Sequence, residues 1–451
     1  MESSLHPETA SPLADFLSGQ NLLLWGLGKE GLSSYRFLRR HFPEKELTLA
    51  DDRIGTLRAA PPFAADPHLR FLAAPLTPAV LDSFDLILKS PGIPTAALNL
   101  SPALTAKLTG QADLFLRFAA GRIVGITGTK GKSTTSHLLA HFLRAGNIDV
   151  HLGGNIGIPL WDFIDELRPT SVTVAELSSY QLEHARHSPH IAIWLNLYEE
   201  HLNYHGTFAA YRDAKANLAR HLAPTGHLIH RADDPRLAEA LAPLNLRAHL
   251  HPFTAASHFP YSLEGNRQLP GPHNALNAFA ALTAARLLAS DEAAIPRALE
   301  NFRSLPHRLE YLGTFAGVRY YNDSISTVPE ATLAALAALP ETDVLILGGM
   351  NRGVSYQALA EALHRPGLRH VLLLPETGAI VGKLLEPRST LPGAPQVTHV
   401  ETLEEAVAHA RRVARPGGTC LFSPAASSYH RYRNFEERGE AFRALVREIG
   451  E

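Results

Sequence analysis

Residues 122–134, Arg-Ile-Val-Gly-Ile-Thr-Gly-Thr-Lys-Gly-Lys-Ser-Thr, constrain the fold more than any other stretch. An apolar, β-rich run ends at Thr127, and a helical pattern follows a short glycine-rich link. A strand feeding a helix in this way is half of a βαβ unit, which builds parallel sheets covered by helices. The rest of the chain repeats the alternation. Strands are predicted at Asn21–Trp25, Leu47–Ala50 and Leu86–Leu88, then at Ser171–Ala175 and Ile191–Leu195. Four more are predicted at Val318–Tyr321, Asp343–Leu347, His370–Leu374 and Thr419–Phe422, with a long Ala-rich helix over Asn274–Leu288. The length of 451 residues suggests two to four domains at roughly 100–200 residues each. The expected class is α/β in three domains, at 1–110, 111–304 and 305–451.

Composition narrows the function. The chain is 45% hydrophobic with a formal net charge of −2, which fits a globular protein and gives no electrostatic case for nucleic acid or a membrane surface. No uncharged apolar run reaches the roughly 18 residues of a membrane span, and the N-terminus, MESSLHPETASPLADF, lacks the pattern of a signal peptide. The lone Cys420 excludes disulfides and cysteine metal clusters, so a cytoplasmic enzyme is the expectation. Basic residues are 34 Arg and only 8 Lys, so each lysine is worth asking about.

The link Gly128-Thr129-Lys130-Gly131-Lys132-Ser133-Thr134 suits a phosphate chain. Glycines let the backbone curl around phosphate, and the helix N-terminus adds partial positive charge. Lys132 would reach the terminal phosphates and Ser133 would ligate Mg²⁺. The usual pattern wants another glycine where Ile126 stands, so the loop is a shorter variant. A second loop, Gly26-Leu-Gly28-Lys29-Glu30-Gly31, precedes Asp51 and Asp52 by about 20 residues and resembles a dinucleotide fingerprint. It fits a nicotinamide cofactor, another nucleotide diphosphate or a packing turn equally well. Glu176 closes a strand where a second Mg²⁺ ligand is needed, and Glu199, Glu200 and His201 follow another strand.

Together the residues resemble the Mur ligases, ATP-dependent enzymes that form amide bonds in peptidoglycan precursor synthesis. The motifs occur in family order over nearly the whole chain: Gly125–Thr134, Gly153–Gly157, Glu176–Gln181, Asn196–His201, Lys215, Gly271–Asn277, Leu305–Glu310 and Asn322–Ser324. The resemblance implies an N-terminal Rossmann-like domain for the UDP-substrate, a central P-loop ATPase-like domain, and a C-terminal Rossmann-like domain for the amino acid. Within the family, the N-terminal loop, Ser90-Pro91-Gly92-Ile93 and the ending Ser423–Tyr429 with Asn434–Gly439 favour the branch that adds D-glutamate to UDP-N-acetylmuramoyl-L-alanine.

The resemblance also implies roles. Lys132 and the loop would bind ATP phosphates, with Asn274, Arg308 and Asp323 around the nucleotide. Ser133 and Glu176 match ligands of one Mg²⁺; His201 and Lys215 match a second, Lys215 being the lysine the family carbamylates. Lys132, His201 and Lys215 are the expected catalytic residues, with the general base unassigned. Gly28, Lys29, Glu30, Asp51, Asp52, Arg53 and Gly92 match the uridine-nucleotide site, and Asn155 a muramoyl contact. Thr327, Arg352, Ser428 and Phe435 match the glutamate pocket. A monomer working on small molecules is expected, without nucleic acid or membrane.

Five positions depart from the commoner pattern: Glu200 for Asp, Ile325 and Arg352 for lysines, and Tyr429-His430 for Leu-Asp. A related branch that adds L-glutamate shares the Asp-Ser-Ile-Ser-Thr and Gly-Gly-x-x-Arg-Gly patterns and stands as the close alternative. A nicotinamide-dependent oxidoreductase using the N-terminal loop is the alternative from another class; it leaves the Gly-Lys-Ser-Thr loop unexplained.

Overall fold

The computed structural model describes residues 11–73, 75–264 and 266–449. Of the N-terminal stretch MESSLHPETASPLADF, the first ten residues lie outside them. Among the described residues three sheets follow one another along the chain. The first contains β1 (Leu22–Trp25), β2 (Leu47–Asp51), β3 (Leu69–Ala73), β4 (Leu86–Lys89) and β5 (Leu108–Thr109), in the order β3-β2-β1-β4-β5, all parallel. The order reverses between β1 and β4, and a ligand crevice in such a sheet opens beyond the carboxyl ends of the strands at that point. The two loops that meet there are Gly26–Gly31 and Ser90–Ile93.

The second sheet contains β6 (Arg122–Thr127), β7 (Val150–Gly154), β8 (Val172–Glu176), β9 (Ile191–Trp194), β10 (His227–Arg231) and β11 (His249–Phe253). Its order is β11-β10-β9-β6-β8-β7, again parallel throughout. Strand β6 therefore lies between β8 and β9. Whatever follows Thr127 is flanked by the residues that follow Glu176 and Trp194.

The third sheet contains β12 (Glu310–Phe315), β13 (Val318–Asn322), β14 (Thr342–Gly349), β15 (His370–Glu376), β16 (Gln396–His399) and β17 (Thr419–Phe422). Its order is β12-β13-β17-β14-β15-β16. The edge pair β12–β13 is antiparallel, a hairpin the parallel expectation did not contain. Ala316 and Gly317 form its turn with φ of 48° and 80°, the left-handed pair a two-residue hairpin turn demands. The other pairs are parallel, and their alternate residues split between two cores. Leu345, Leu347 and Leu373 pack on one face, and Val344, Ile346 and Leu372 on the other. A parallel sheet buried on both faces needs such unbroken apolar runs.

The chain divides into two compact units, Met1–Phe259 with Leu276–Ala298, and Pro260–Ala275 with Leu299–Glu451. The first two sheets share the first unit and one apolar core, in which Phe37 of the helix Lys29–His41 meets Trp161 at a ring separation of 5.0 Å. No helix among the described residues is long and apolar enough to cross a membrane.

Candidate active site

The phosphate loop leaves β6 and enters the helix Lys132–Ala145. Gly131 is the helix N-cap at φ 86°, and a Cβ there would meet the Asn277 amide oxygen at 2.5 Å, so only glycine fits. The N–H groups of Lys132, Ser133 and Thr134 begin the helix and have no intrahelical acceptor by its geometry. The N–H groups of Thr129 and Lys130 are already committed. Both donate to the Asn196 side-chain oxygen, at 3.0 and 2.9 Å, while the Asn196 amide donates to the Lys130 carbonyl at 3.0 Å. The Thr129 hydroxyl bonds the Tyr211 hydroxyl at 2.9 Å and accepts from the Tyr198 N–H at 2.8 Å. Asn196 follows β9, so the sheet order is what brings it to the loop. Asn196 opens the Asn196–His201 motif, and its place after the strand next to β6 is visible only once strand order is known.

Lys132 folds back over this loop, its ammonium donating to the carbonyls of Gly128 and Thr129 at 3.0 and 3.1 Å. Lys215, on the helix Phe208–Arg220, reaches the same loop from below. Its side chain is fully buried, and Nζ donates to the Gly128 carbonyl at 2.8 Å. Burial first, and then the neighbouring Lys132 charge, push its pKa well below the ordinary lysine value. Lys130 points outward to Glu200, at 2.6 Å. Burial alone would raise the Glu200 carboxyl; the Lys130 hydrogen bond and the charges of Lys130, His201 and Lys132 together outweigh it and hold the group below its ordinary range.

Glu176 ends β8 beside the loop and is 1% exposed. One carboxylate oxygen accepts from the Asn155 amide at 2.7 Å; the other is buried without a partner. An orphaned anionic oxygen is costly unless a cation completes it. Ser133 is buried at the second position of the helix, so Ser133 and Glu176 fit a divalent ion shared with a phosphate. Among the described residues no group of three or more His, Cys, Asp or Glu is arranged to hold a metal alone. His201 occupies left-handed backbone at φ 60°, with Tyr180 packed on its ring at 4.9 Å. Burial lowers its pKa, favouring neutral imidazole.

At the first sheet, Gly31 is forced by crowding: a Cβ would lie 2.0 Å from the Gly26 carbonyl oxygen. Gly28 caps the helix Lys29–His41, with Lys29 and Glu30 in its first turn. Asp51 accepts from the Leu27 N–H at 2.7 Å and from Arg53, so it shapes this loop. Burial raises its carboxyl, but these hydrogen bonds win and hold it below the carboxylate range. Asp52, Arg53 and Gly92 are exposed nearby on the same sheet edge.

The second unit carries the remaining predicted residues. Asn274 is buried and donates to the Pro270 carbonyl at 2.7 Å. Arg308 sits between His307 and Leu309, at φ 63° and 41°. Asp323 is buried under the Ser326 and Ser423 hydroxyls, at 2.5 and 2.8 Å, and burial pushes its carboxyl up to about 6. An open cleft lies beyond β14, β15 and β17, with Gly349, Glu376, Ser428, His430 and Arg438 in its wall. Thr327 and Phe435 are half-buried, and Arg352 is exposed on the loop after β14. Buried Arg438, missed in the sequence, donates to the Ser324 hydroxyl and carbonyl and to the Ala426 carbonyl, at 2.8–3.0 Å. It ties the Asp323–Thr327 turn to the Ser428 turn, a long-range contact no local pattern signals.

A nucleotide loop flanked by a buried carboxylate and a buried lysine, on parallel α/β sheets, defines a nucleotide-dependent enzyme. The Mur ligase middle domain matches residues 126–285, and the Mur ligase glutamate ligase domain matches residues 307–426. A UDP-N-acetylmuramoylalanine–D-glutamate ligase from Solibacter usitatus is 34% identical over 95% of this chain and 98% of its own. A UDP-N-acetylmuramoyl-L-alanine–L-glutamate ligase from Xanthomonas campestris is 35% identical over 95% of this chain and 96% of its own. The crystal structure of a MurF ligase from Thermotoga maritima in complex with ADP covers 90% of this chain and 96% of that one, with a TM-score of 0.57 at 17% identity. The chain belongs to the Mur ligase family of ATP-dependent ligases.

Proposed function

We propose that this enzyme joins D-glutamate to UDP-N-acetylmuramoyl-L-alanine, with ATP becoming ADP and phosphate. The observation that carries the chemistry is the phosphate loop with Glu176 and Lys215 on its two sides. Support for the substrates comes from the relatives named as D-glutamate ligases along nearly the whole chain. The domains are 1–110 for the UDP-substrate, 111–304 for ATP and 305–451 for glutamate, in a cytoplasmic monomer.

A carboxylate is a poor acyl donor because its leaving group would be oxide. Transfer of the terminal phosphoryl group of ATP to the alanine carboxylate gives an acyl phosphate. The glutamate amine then attacks, phosphate leaves, and an amide remains. The Lys132 ammonium and the first-turn N–H groups hold the phosphates, where charge spreads during transfer. Arg308, Asp323 and Asn274 bind the nucleoside. Thr327, Arg352, Ser428 and Phe435 hold glutamate, Arg352 gripping a carboxylate with two parallel N–H donors.

Ser133 and Glu176 would hold one Mg²⁺, and His201 with Lys215 a second. Bound there, the cations neutralise phosphate charge. A neutral amine is the form of lysine that adds CO₂, giving a carbamate and a proton. Lys215, held neutral by burial, suits that change from cation to anion.

The test is phosphate release from the full chain with ATP, Mg²⁺, UDP-N-acetylmuramoyl-L-alanine and either D- or L-glutamate. Release with D-glutamate is expected; release with neither overturns the reading. The L-glutamate reading is favoured by the 35% identical L-glutamate ligase and by Ile325 and Arg352, and release with L-glutamate alone establishes it.

A further inference from the structure

Lys89 has no part in this chemistry, yet it is one of only eight lysines and its side chain is 2% exposed. It ends β4, directly before the turn Ser90-Pro-Gly-Ile93. Its ammonium donates to the Ile93 carbonyl at 2.8 Å and to the Tyr204 hydroxyl at 2.9 Å, and pairs with Glu183 at 3.1 Å. The Tyr204 hydroxyl in turn lies 2.9 Å from a Glu183 carboxylate oxygen. Three donors thus meet three acceptors converging on one point. A compact ammonium matches that arrangement, whereas the planar fork of arginine does not. In a chain where arginine supplies nearly all the cations, this position has kept an amine.

Glu183, the C-cap of the short helix Ser179–Leu182, and Tyr204, on the short helix Leu202–His205, follow β8 and β9 of the second sheet. Glu183 comes seven residues after Glu176, and Gln181, between them, donates to Glu30 of the N-terminal loop at 2.6 Å. Tyr180 in the same segment packs against Tyr204 at 4.4 Å and against His201 at 4.9 Å. One short stretch, 176–183, therefore carries a carboxylate beside the phosphate loop and two side-chain ties to the loops at the β1/β4 crevice. A buried ammonium is costly unless paired, so the tie is held firmly.

We infer that Lys89, through Glu183 and Tyr204, is a positioning residue that sets the UDP-substrate in register with the phosphate loop. The inference rests on the ligase reading above. Lys89 need not touch either substrate. It fixes the Ser90–Ile93 turn against the segment that follows β8, and with it the distance over which the phosphoryl group must travel.

The test compares wild type with Lys89→Arg and with the double variant Lys89→Met/Glu183→Leu, which removes both charges so that neither is left buried alone. The readouts are kcat, the KM of each substrate, ADP affinity and melting temperature. In the double variant, ADP affinity and the KM for glutamate are expected within about twofold of wild type. The KM for the UDP-substrate rises about tenfold and kcat falls about tenfold, because small misplacements of reacting groups are costly in rate. Lys89→Arg is expected not to rescue. A UDP-substrate KM within about twofold of wild type, in a variant that binds ADP normally, overturns the inference; so does a joint rise of all three KM values, which marks general loosening. If wild type itself shows no turnover, the ligase reading fails and this inference with it; normal wild-type turnover with unchanged variants fails this inference alone.

Discussion

The buried amine of Lys215 donates to the carbonyl of Gly128, the first glycine of the phosphate loop, at 2.8 Å. No carboxylate forms an ion pair with it among the described residues, and burial has removed the advantage of being charged. Lys215→Arg keeps a cation and loses the nucleophilic amine. Both Lys215→Arg and Lys215→Ala are expected to lose at least about a hundredfold in kcat, with short carboxylic acids partly restoring the alanine variant. Phosphate release reads this, and an active Lys215→Arg enzyme would contradict it.

Asn196 is expected to act on nucleotide affinity without touching nucleotide. Asn196→Ala leaves the Thr129 and Lys130 N–H groups without their side-chain acceptor. The Thr129 N–H keeps the Asn196 main-chain carbonyl at 3.1 Å. The loss is therefore that of ordinary hydrogen bonds, about 0.5–1.5 kcal/mol, and ADP should bind about threefold to tenfold more weakly. Equilibrium ADP titration measures it; unchanged affinity would show that the loop holds itself.

Glu176 offers a separation of stability from activity. Its second carboxylate oxygen is buried without a partner, which makes the charge costly unless a cation completes it. Glu176→Gln keeps the shape and removes the charge, and is expected to leave the melting temperature equal or higher. Turnover should fall about a hundredfold and need more Mg²⁺. A variant that melts lower while retaining its Mg²⁺ dependence would refute this.

Asp323 makes a pH prediction whose sign follows from burial. Folding raises its carboxyl from 3.8 to about 6, so the folded chain holds that proton more tightly than the unfolded one. The resulting stabilisation is complete below the unfolded value and is lost as pH rises through about 6, an amount of at most about 3 kcal/mol. Asp323→Asn cannot titrate. Denaturant unfolding at about pH 5 and about pH 8 should show wild type losing stability relative to the variant, and parallel behaviour would rule the assignment out.

Much of the fold is written in local patterns. The strands at Arg122–Thr127, Ile191–Trp194 and Thr419–Phe422 are apolar runs with polar or glycine residues within two positions of their ends, and the helices Lys132–Ala145 and Phe208–Arg220 carry the Ala and Leu that read as helical. Edge elements are harder. Strands β7, β11 and β16 carry exposed or half-exposed residues and His, Gln or Gly, so they lack an apolar run to read. The antiparallel β12 is likewise half-buried along most of its length. In the site, Lys132, Ser133 and Glu176 were readable because phosphate chemistry fixes their spacing to strand ends. Asn196, Lys89, Glu183 and Arg438 were not. Their roles come from partners up to 115 residues away, which only strand order and packing bring together.

The loop is held by the protein's own groups, with the Asn196 side chain bonded to Thr129 and Lys130. Ordering a residue's backbone costs about 1–2 kcal/mol, and here that is settled when the protein folds. A nucleotide that binds only the folded loop then returns the favour by mass action, stabilising the unit in proportion to the logarithm of its concentration over its dissociation constant. By that linkage, any nucleotide bound at the loop would act as substrate and as stabiliser of the folded unit at once.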